Sequence, residues 1–140
     1  MFIVSIIITV VVATSVLIHY EFLARMSSYL LVWSFSPRYR IVTGVLVALV
    51  AHAIEIWLFA FTYYAMIQTG LWGSLQGHVD GSFLDCVYFS FTSYTTLGFG
   101  DIYPTAELRF LTGVESLTGL VLITWTASFL YLAMGKEWGK

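Results

Sequence analysis

Three long apolar runs separated by shorter polar stretches dominate the pattern of the chain. The first extends from Met1 to about Leu23 and meets no charge before Glu21, the second from about Ile41 to Ile67, and the third from about Ala106 to Met134. A hydrocarbon core of about 30 Å takes about 20 helical residues, so each run predicts a helix that crosses a membrane. His52 and Glu55 interrupt the second run and Glu115 the third, which lowers the hydropathy of those spans without abolishing it. The first run lacks a basic leading region and a convincing small-residue cleavage site, so it reads as a retained helix rather than a signal peptide. Composition agrees: 59% of residues are hydrophobic and 10% charged, with a mean hydropathy of +0.88. A soluble domain cannot hide that much apolar surface, and 140 residues leave room for one membrane domain.

Between the second and third runs the periodicity changes. Gln68 to Gly81 is rich in glycine and polar residues and predicts an exposed loop. Ser82 then reads as a helix N-cap with Asp85 at the third position, facing the opening amides. A helix from Phe83 to Thr95 is about 20 Å long, enough to enter a membrane but not to cross it. It directs its negative C-terminal end inward, toward Thr95-Thr96-Leu97-Gly98-Phe99-Gly100-Asp101. Gly98 and Gly100 can take φ > 0, which lets successive carbonyls turn to one side instead of alternating as in a strand. Four copies around an axis would stack rings of carbonyls from Thr96, Leu97, Gly98 and Phe99, with the Thr96 hydroxyl as a further ring. Such rings can replace the hydration shell of a potassium ion. Irregular backbone at that depth is tolerated only where protein buries it or it lines water.

The placement of basic residues independently requires a re-entrant segment. Arg25, Arg38 and Arg40 share the first loop, and Lys136 and Lys140 share the tail. Basic residues are retained on the cytoplasmic side, so both segments lie there and the N-terminus lies outside; only Arg109 opposes this. Trp33, Tyr39, Tyr131 and Trp138 then fit an inner aromatic belt, and Tyr63, Tyr64, Trp72 and Tyr103 an outer one.

The heptapeptide 95–101 closely resembles the signature filter of tetrameric potassium channels, T-T-V-G-Y-G-D, with Leu97 in place of Val and Phe99 in place of Tyr. The match continues into Asp101-Ile102-Tyr103-Pro104 and back through Tyr88-Phe89-Ser90-Phe91-Thr92-Ser93-Tyr94. With the following helix it covers about a third of the chain. The resemblance implies an all-α membrane protein of the two-transmembrane pore-domain type with an additional N-terminal helix, assembled as a homotetramer. Each subunit would supply three transmembrane helices, a re-entrant pore helix and a filter loop. The corresponding divisions are an extra helix at 1–24, a cytoplasmic loop at 25–40, a pore domain at 41–134 and a tail at 135–140. Within the pore domain they are an outer helix 41–67, an extracellular loop 68–82, a pore helix 83–95, a filter 96–101 and an inner helix 106–134.

The implied function is passive, potassium-selective conduction in a plasma or bacterial inner membrane, without enzymatic activity. A weakly selective cation channel, or a non-conducting subunit that keeps the pore-loop fold, are the alternatives. Thr96, Leu97, Gly98, Phe99 and Gly100 would bind K+, the permeant ion, with Thr92, Thr95, Asp101 and Glu115 supporting them. Val121, Thr124, Ser128 and Leu132 would line the pore. Lipids are the other expected partners, with no nucleic acid and no cofactor. Thr124 and Ser128 share a helix face, and their hydroxyls either wet a cavity or bond the preceding turn. Gly119 lies one position from the usual hinge glycine of the family, so it serves either as a hinge or as a close-packing point.

Departures from the family pattern point to a loosely tied filter. Many members place an acid in the pore helix where Thr92 stands, and Phe99 lacks the usual Tyr hydroxyl. An acid such as Glu115 near the membrane centre costs a few kcal/mol unless protonated or paired. It lies opposite the cavity face, where His52 and Glu55, three apart on one helix, are candidate partners. The group would form either a static network or a pH sensor. His19, Glu21 and Arg25 would either snorkel to the interface or form a cytoplasmic sensor. Asp80, Asp85, Asp101 and Glu107 would make the outer mouth negative. Cys86 is alone, and His19, His52 and His78 show no recognised metal-ligand spacing, so no metal site is expected. No regular basic series marks a voltage sensor.

Overall fold

The computed structural model describes residues 1–32 and 37–138, with side chains for 1–28 and 38–135. Trp33 and Lys140, and the side chains of Lys136 and Trp138, fall outside the described residues. Four helices and a short hairpin follow in the order α1 (Phe2–Val32), α2 (Pro37–Thr69), β1 (Leu75–Gly77), α3 (Phe83–Tyr94), β2 (Ile102–Pro104) and α4 (Leu108–Trp138). Among the described residues, three segments are long and apolar enough to cross a membrane: Phe2–Ser28, Arg38–Thr69 and Leu108–Gly135. The protein is an integral, all-α membrane protein.

The boundaries differ from expectation where helices outrun the apolar runs. The expected loop 25–40 is largely helical, because α1 continues to Val32 and α2 already begins at Pro37. Proline suits that first helical position, where its missing N–H would have no partner anyway. Helices of 31 and 33 residues are about 45–50 Å long and overreach a hydrocarbon core of about 30 Å. Glu21 and Arg25 form an exposed ion pair at 3.1 Å on the outer surface of α1.

Each long helix buries one stripe. On α1 it is Val4, Ile8, Val11, Ser15, His19, Leu23 and Met26, spaced by three and four residues. Its upper part packs with Ile56, Phe59, Ala60, Tyr63 and Met66 of α2. Leu108 and Leu111 of α4 and Cys86, Val87 and Phe89 of α3 complete that core. The opposite faces leave Leu17, Leu46, Phe61 and Leu117 exposed, as expected of a surface whose solvent is lipid. Tyr63, expected in the outer belt, is instead wholly buried.

The segment 68–82 is not a plain loop. Its β1 pairs antiparallel with β2, joining Leu75 to Pro104, Gln76 to Tyr103 and Gly77 to Ile102. This hairpin lies astride α3 and the loop after it, and fixes where both ends of that insertion leave the membrane helices.

Candidate functional site

The short helix α3 starts where a capping box forms. The Ser82 hydroxyl accepts the Asp85 N–H at 3.2 Å, and the Asp85 carboxylate accepts the N–H groups of Ser82 at 3.0 Å and Asp80 at 2.9 Å. The helix stops at Tyr94 with Thr95 as C-cap. The chain then folds back on the last turn: Thr96 N–H donates to Ser93 O and Gly98 N–H to Thr92 O, both at 3.0 Å. Thr95 Oγ1 donates to Phe91 O at 2.7 Å and Thr92 Oγ1 to Phe89 O at 3.0 Å.

In the loop that follows, every second residue lies in the left-handed region: Thr96 at φ +59°, Gly98 at +52° and Gly100 at +79°. Leu97 and Phe99 between them do not. Such an alternation is the backbone pattern that lets successive carbonyls turn toward a common side. Glycine takes it freely, whereas a β-branched threonine there carries strain of order 1–3 kcal/mol, the kind held at functional sites. Leu97 and Phe99 expose 60% and 65% of their surface, so within one chain the loop has no protein cover.

The expectation of a loosely tied loop changes at its outer end. The Tyr88 hydroxyl donates to Asp101 Oδ2 at 2.8 Å, and the Asp101 carbonyl accepts His78 N–H at 3.0 Å. A hydroxyl on α3, one turn before Thr92, thus takes the place of the missing acid. Its hydrogen bond to the Asp101 carboxylate raises the Tyr88 pKa above the ordinary phenol range and keeps it a donor.

Helix α4 grips α3 from behind at three levels. Glu115 Oε1 lies 2.5 Å from Ser90 Oγ, and Glu115 Oε2 accepts the Tyr63 hydroxyl at 2.6 Å. One turn lower, Ser116 Oγ donates to Ser93 O at 2.9 Å. Below that, Gly119 meets Tyr94 so closely that an added Cβ would overlap the Tyr94 carbonyl oxygen and stand 2.9 Å from its ring. Gly119 is therefore the close-packing point of α4 on α3.

A second polar group lies on the other flank of α3. Glu55 Oε1 is 2.9 Å from His19 Nδ1, and Glu55 Oε2 is 3.1 Å from His52 Nδ1 and accepts the Tyr94 hydroxyl. The same Tyr94 hydroxyl is 3.0 Å from His52 Nδ1, and Thr126 Oγ1 lies 3.2 Å from His19 Nε2 and 3.1 Å from His52 Nε2. The expected partnership of Glu115 with His52 and Glu55 is not formed. Glu115 binds hydroxyls of α2 and α3, while Glu55 binds imidazoles of α1 and α2. His19, placed at the interface by its position late in the first apolar run, is instead fully buried.

A family profile described as ion channel matches residues 51–135. That segment takes in most of α2, the hairpin, α3, the 95–101 loop and nearly all of α4. The chain belongs to this ion channel family. Comparisons with curated proteins and with solved structures returned no match. Residues 1–50, including all of α1 with His19, lie outside the matched segment.

In the channel chain, Val121, Thr124, Ser128 and Leu132 all sit on the exposed side of α4, away from its buried stripe of Leu108, Leu111, Glu115, Thr118, Leu122 and Thr126. Thr124 Oγ1 bonds Leu120 O and Val121 O, and Ser128 Oγ bonds Thr124 O, all at 2.9 Å. The hydroxyl protons are thus given to the preceding turn, which leaves only oxygen lone pairs for any cavity. Sequence reasoning passed over His19, Tyr63, Tyr88, Ser90, Tyr94, Ser116 and Thr126 as partners. For His19 a signal existed, since it continues the spacing of Val4, Ile8, Val11 and Ser15. The others show no local pattern.

Proposed function

We propose that the chain forms a homotetrameric potassium-selective channel in which residues 96–100 are the ion-binding filter and K+ is the permeant ion. The observation that carries this reading is the loop backbone, with left-handed residues at 96, 98 and 100 at the inner end of a capped 12-residue helix. An alternation of that kind presents a column of carbonyl oxygens, the ligand type that replaces potassium hydration. The exposed Leu97 and Phe99 need the protein surface that neighbouring copies provide.

In this reading Thr92, Thr95 and Asp101 hold the filter through the bonds of α3, and Glu115 braces it from behind. Val121, Thr124, Ser128 and Leu132 line the passage beneath. The retention of basic residues on the cytoplasmic side supports an orientation in a plasma or bacterial inner membrane with Arg25, Arg38 and Arg40 and the C-terminal Lys136 and Lys140 inside and the N-terminus outside.

Liposomes containing only this chain test the proposal. Potassium flux is expected, with a bi-ionic reversal potential that favours K+ over Na+. Sodium passing as readily as potassium overturns the selectivity and leaves a weakly selective cation channel. An assembled tetramer with no flux, after alteration of Leu132 to open a closed mouth, replaces conduction by a structural role.

A further inference from the structure

His19, His52 and Glu55 come from two helices and place their donor atoms within 4.8 Å of one another. We infer that they form a binding site for one divalent transition-metal ion of the zinc class, held between α1 and α2 and linked through Tyr94 to the end of α3.

The donor set is two imidazoles and one carboxylate, a combination suited to zinc and its neighbours and unsuited to calcium or magnesium. His52 and Glu55 stand three apart on α2, so their side chains reach one point, and His19 closes the site from α1. The two nitrogen-to-oxygen separations are 2.9 and 3.1 Å. At the tetrahedral angle zinc prefers, two metal bonds of about 2.1 Å put their donors about 3.4 Å apart, so each nitrogen and oxygen must draw apart by a few tenths of an ångström to admit an ion.

The surroundings supply the outer partners that metal-binding histidines need. With a metal on both Nδ1 atoms, each imidazole carries its proton on Nε2, and both Nε2 atoms face Thr126 Oγ1 at 3.2 and 3.1 Å. A hydroxyl oxygen has two lone pairs and can accept both. Tyr94 donates to Glu55, which fixes the carboxylate in turn.

Of the three donor residues His52 alone is part-exposed, on an apolar groove. His52, Tyr94 and Thr126 line a groove of about 450 Å³ together with Ala48, Leu49 and Phe91. His19 and Glu55 are fully buried behind them. An ion entering there would tie α1, which lies outside the family segment, to Tyr94, which stands two residues before Thr96.

The test uses the full chain without an affinity-tag histidine, stripped with chelator and exposed to Zn2+ or Co2+. About one ion per chain should be retained after desalting, with Co2+ giving the visible absorption of nitrogen and oxygen coordination. His52→Gln and His19→Gln should each weaken retention at least about tenfold, and Thr126→Val by about 10-fold, as loss of an outer partner does. His78→Gln, on the exposed loop, should leave it unchanged. Because each substitution could disturb folding, the unsubstituted chain carries the decisive measurement. Failure to retain either ion overturns the site, as does retention unaltered in the His19→Gln/His52→Gln double variant.

Discussion

Two buried carboxylates flank the same short helix and are treated differently by their neighbours. Glu115, on α4, meets only hydroxyls: Ser90 at 2.5 Å and Tyr63 at 2.6 Å. Ser90 also contacts the Ile56 carbonyl at 2.8 Å. The Ser90 hydroxyl has one proton for those two acceptors, and the count closes when Glu115 itself supplies a proton. Glu55, on α2, meets two imidazoles and a phenol, so its group can hold opposite charges side by side. A carboxyl among hydroxyls is a neutral brace, whereas a carboxylate among imidazoles is an ionic joint. The first ties α2, α3 and α4 to one another. The second joins the additional helix α1 to them.

That contrast predicts unequal costs. The largest effect should come from Glu55→Ala, which leaves His19, His52 and the Tyr94 hydroxyl facing an empty centre. Breaking a buried ionic group from one side costs about 3–5 kcal/mol, visible as a sharply lowered unfolding midpoint in detergent. A loss no greater than that of Glu115→Ala would remove the distinction between the two sites.

Next in size is Gly119→Ala. The added methyl meets a backbone carbonyl, which cannot swing aside like a side-chain tip, and overpacking of this kind costs about 1–3 kcal/mol. Thermal unfolding together with potassium flux should both decline, since α3 and α4 are pushed apart just behind the loop. Equal stability of the Ala variant would show that the two helices part easily there.

The Glu115 pair of substitutions sharpens the comparison from the other side. Glu115→Ala removes one partner from each of two buried hydroxyls, Ser90 keeping the Ile56 carbonyl and Tyr63 the Thr112 hydroxyl, and should cost about 1–3 kcal/mol. Glu115→Gln keeps a neutral group of the same shape and should cost less than about 1 kcal/mol by the same reasoning. Glu115→Gln should also leave the pH response of the current unchanged, and an altered response would make Glu115 a sensor. The smallest effect belongs to Tyr88→Phe. It removes the exposed tie to Asp101 without touching the core, so the unfolding midpoint should move little while current through the loop becomes less stable.

Much of the architecture was legible because it rests on local rules. Length and hydropathy give the three spans, Ser82 and Asp85 give the start of α3, and Gly98 and Gly100 mark the loop as irregular. Other features had no local signature. Three-residue strands among glycines carry no periodicity, so the hairpin of Leu75–Gly77 with Ile102–Pro104 read as loop. Tyr88 gave no sign that its hydroxyl would reach Asp101, because that bond depends on how the chain returns after residue 100. Helix ends also escaped, as the polar residues Arg25, Ser27, Ser28, Arg38 and Arg40 are compatible with helix once the neighbouring turns exist.

The sequence by itself determined that this is a membrane protein, with three apolar helices long enough to span and a short capped helix that leads into a glycine-bearing loop. Apolar run length, capping chemistry and glycine stereochemistry act within a few residues, so no partner is needed to read them. Only the tertiary structure decided which buried polar residues meet. His19, Glu55, Tyr94 and Thr126 are separated by between 32 and 107 positions along the chain, and Glu115 could have faced either carboxylate partner or hydroxyl. Burial obliges each of them to find a partner, but which one is set by the register of the packed helices, and that register is a property of the whole fold.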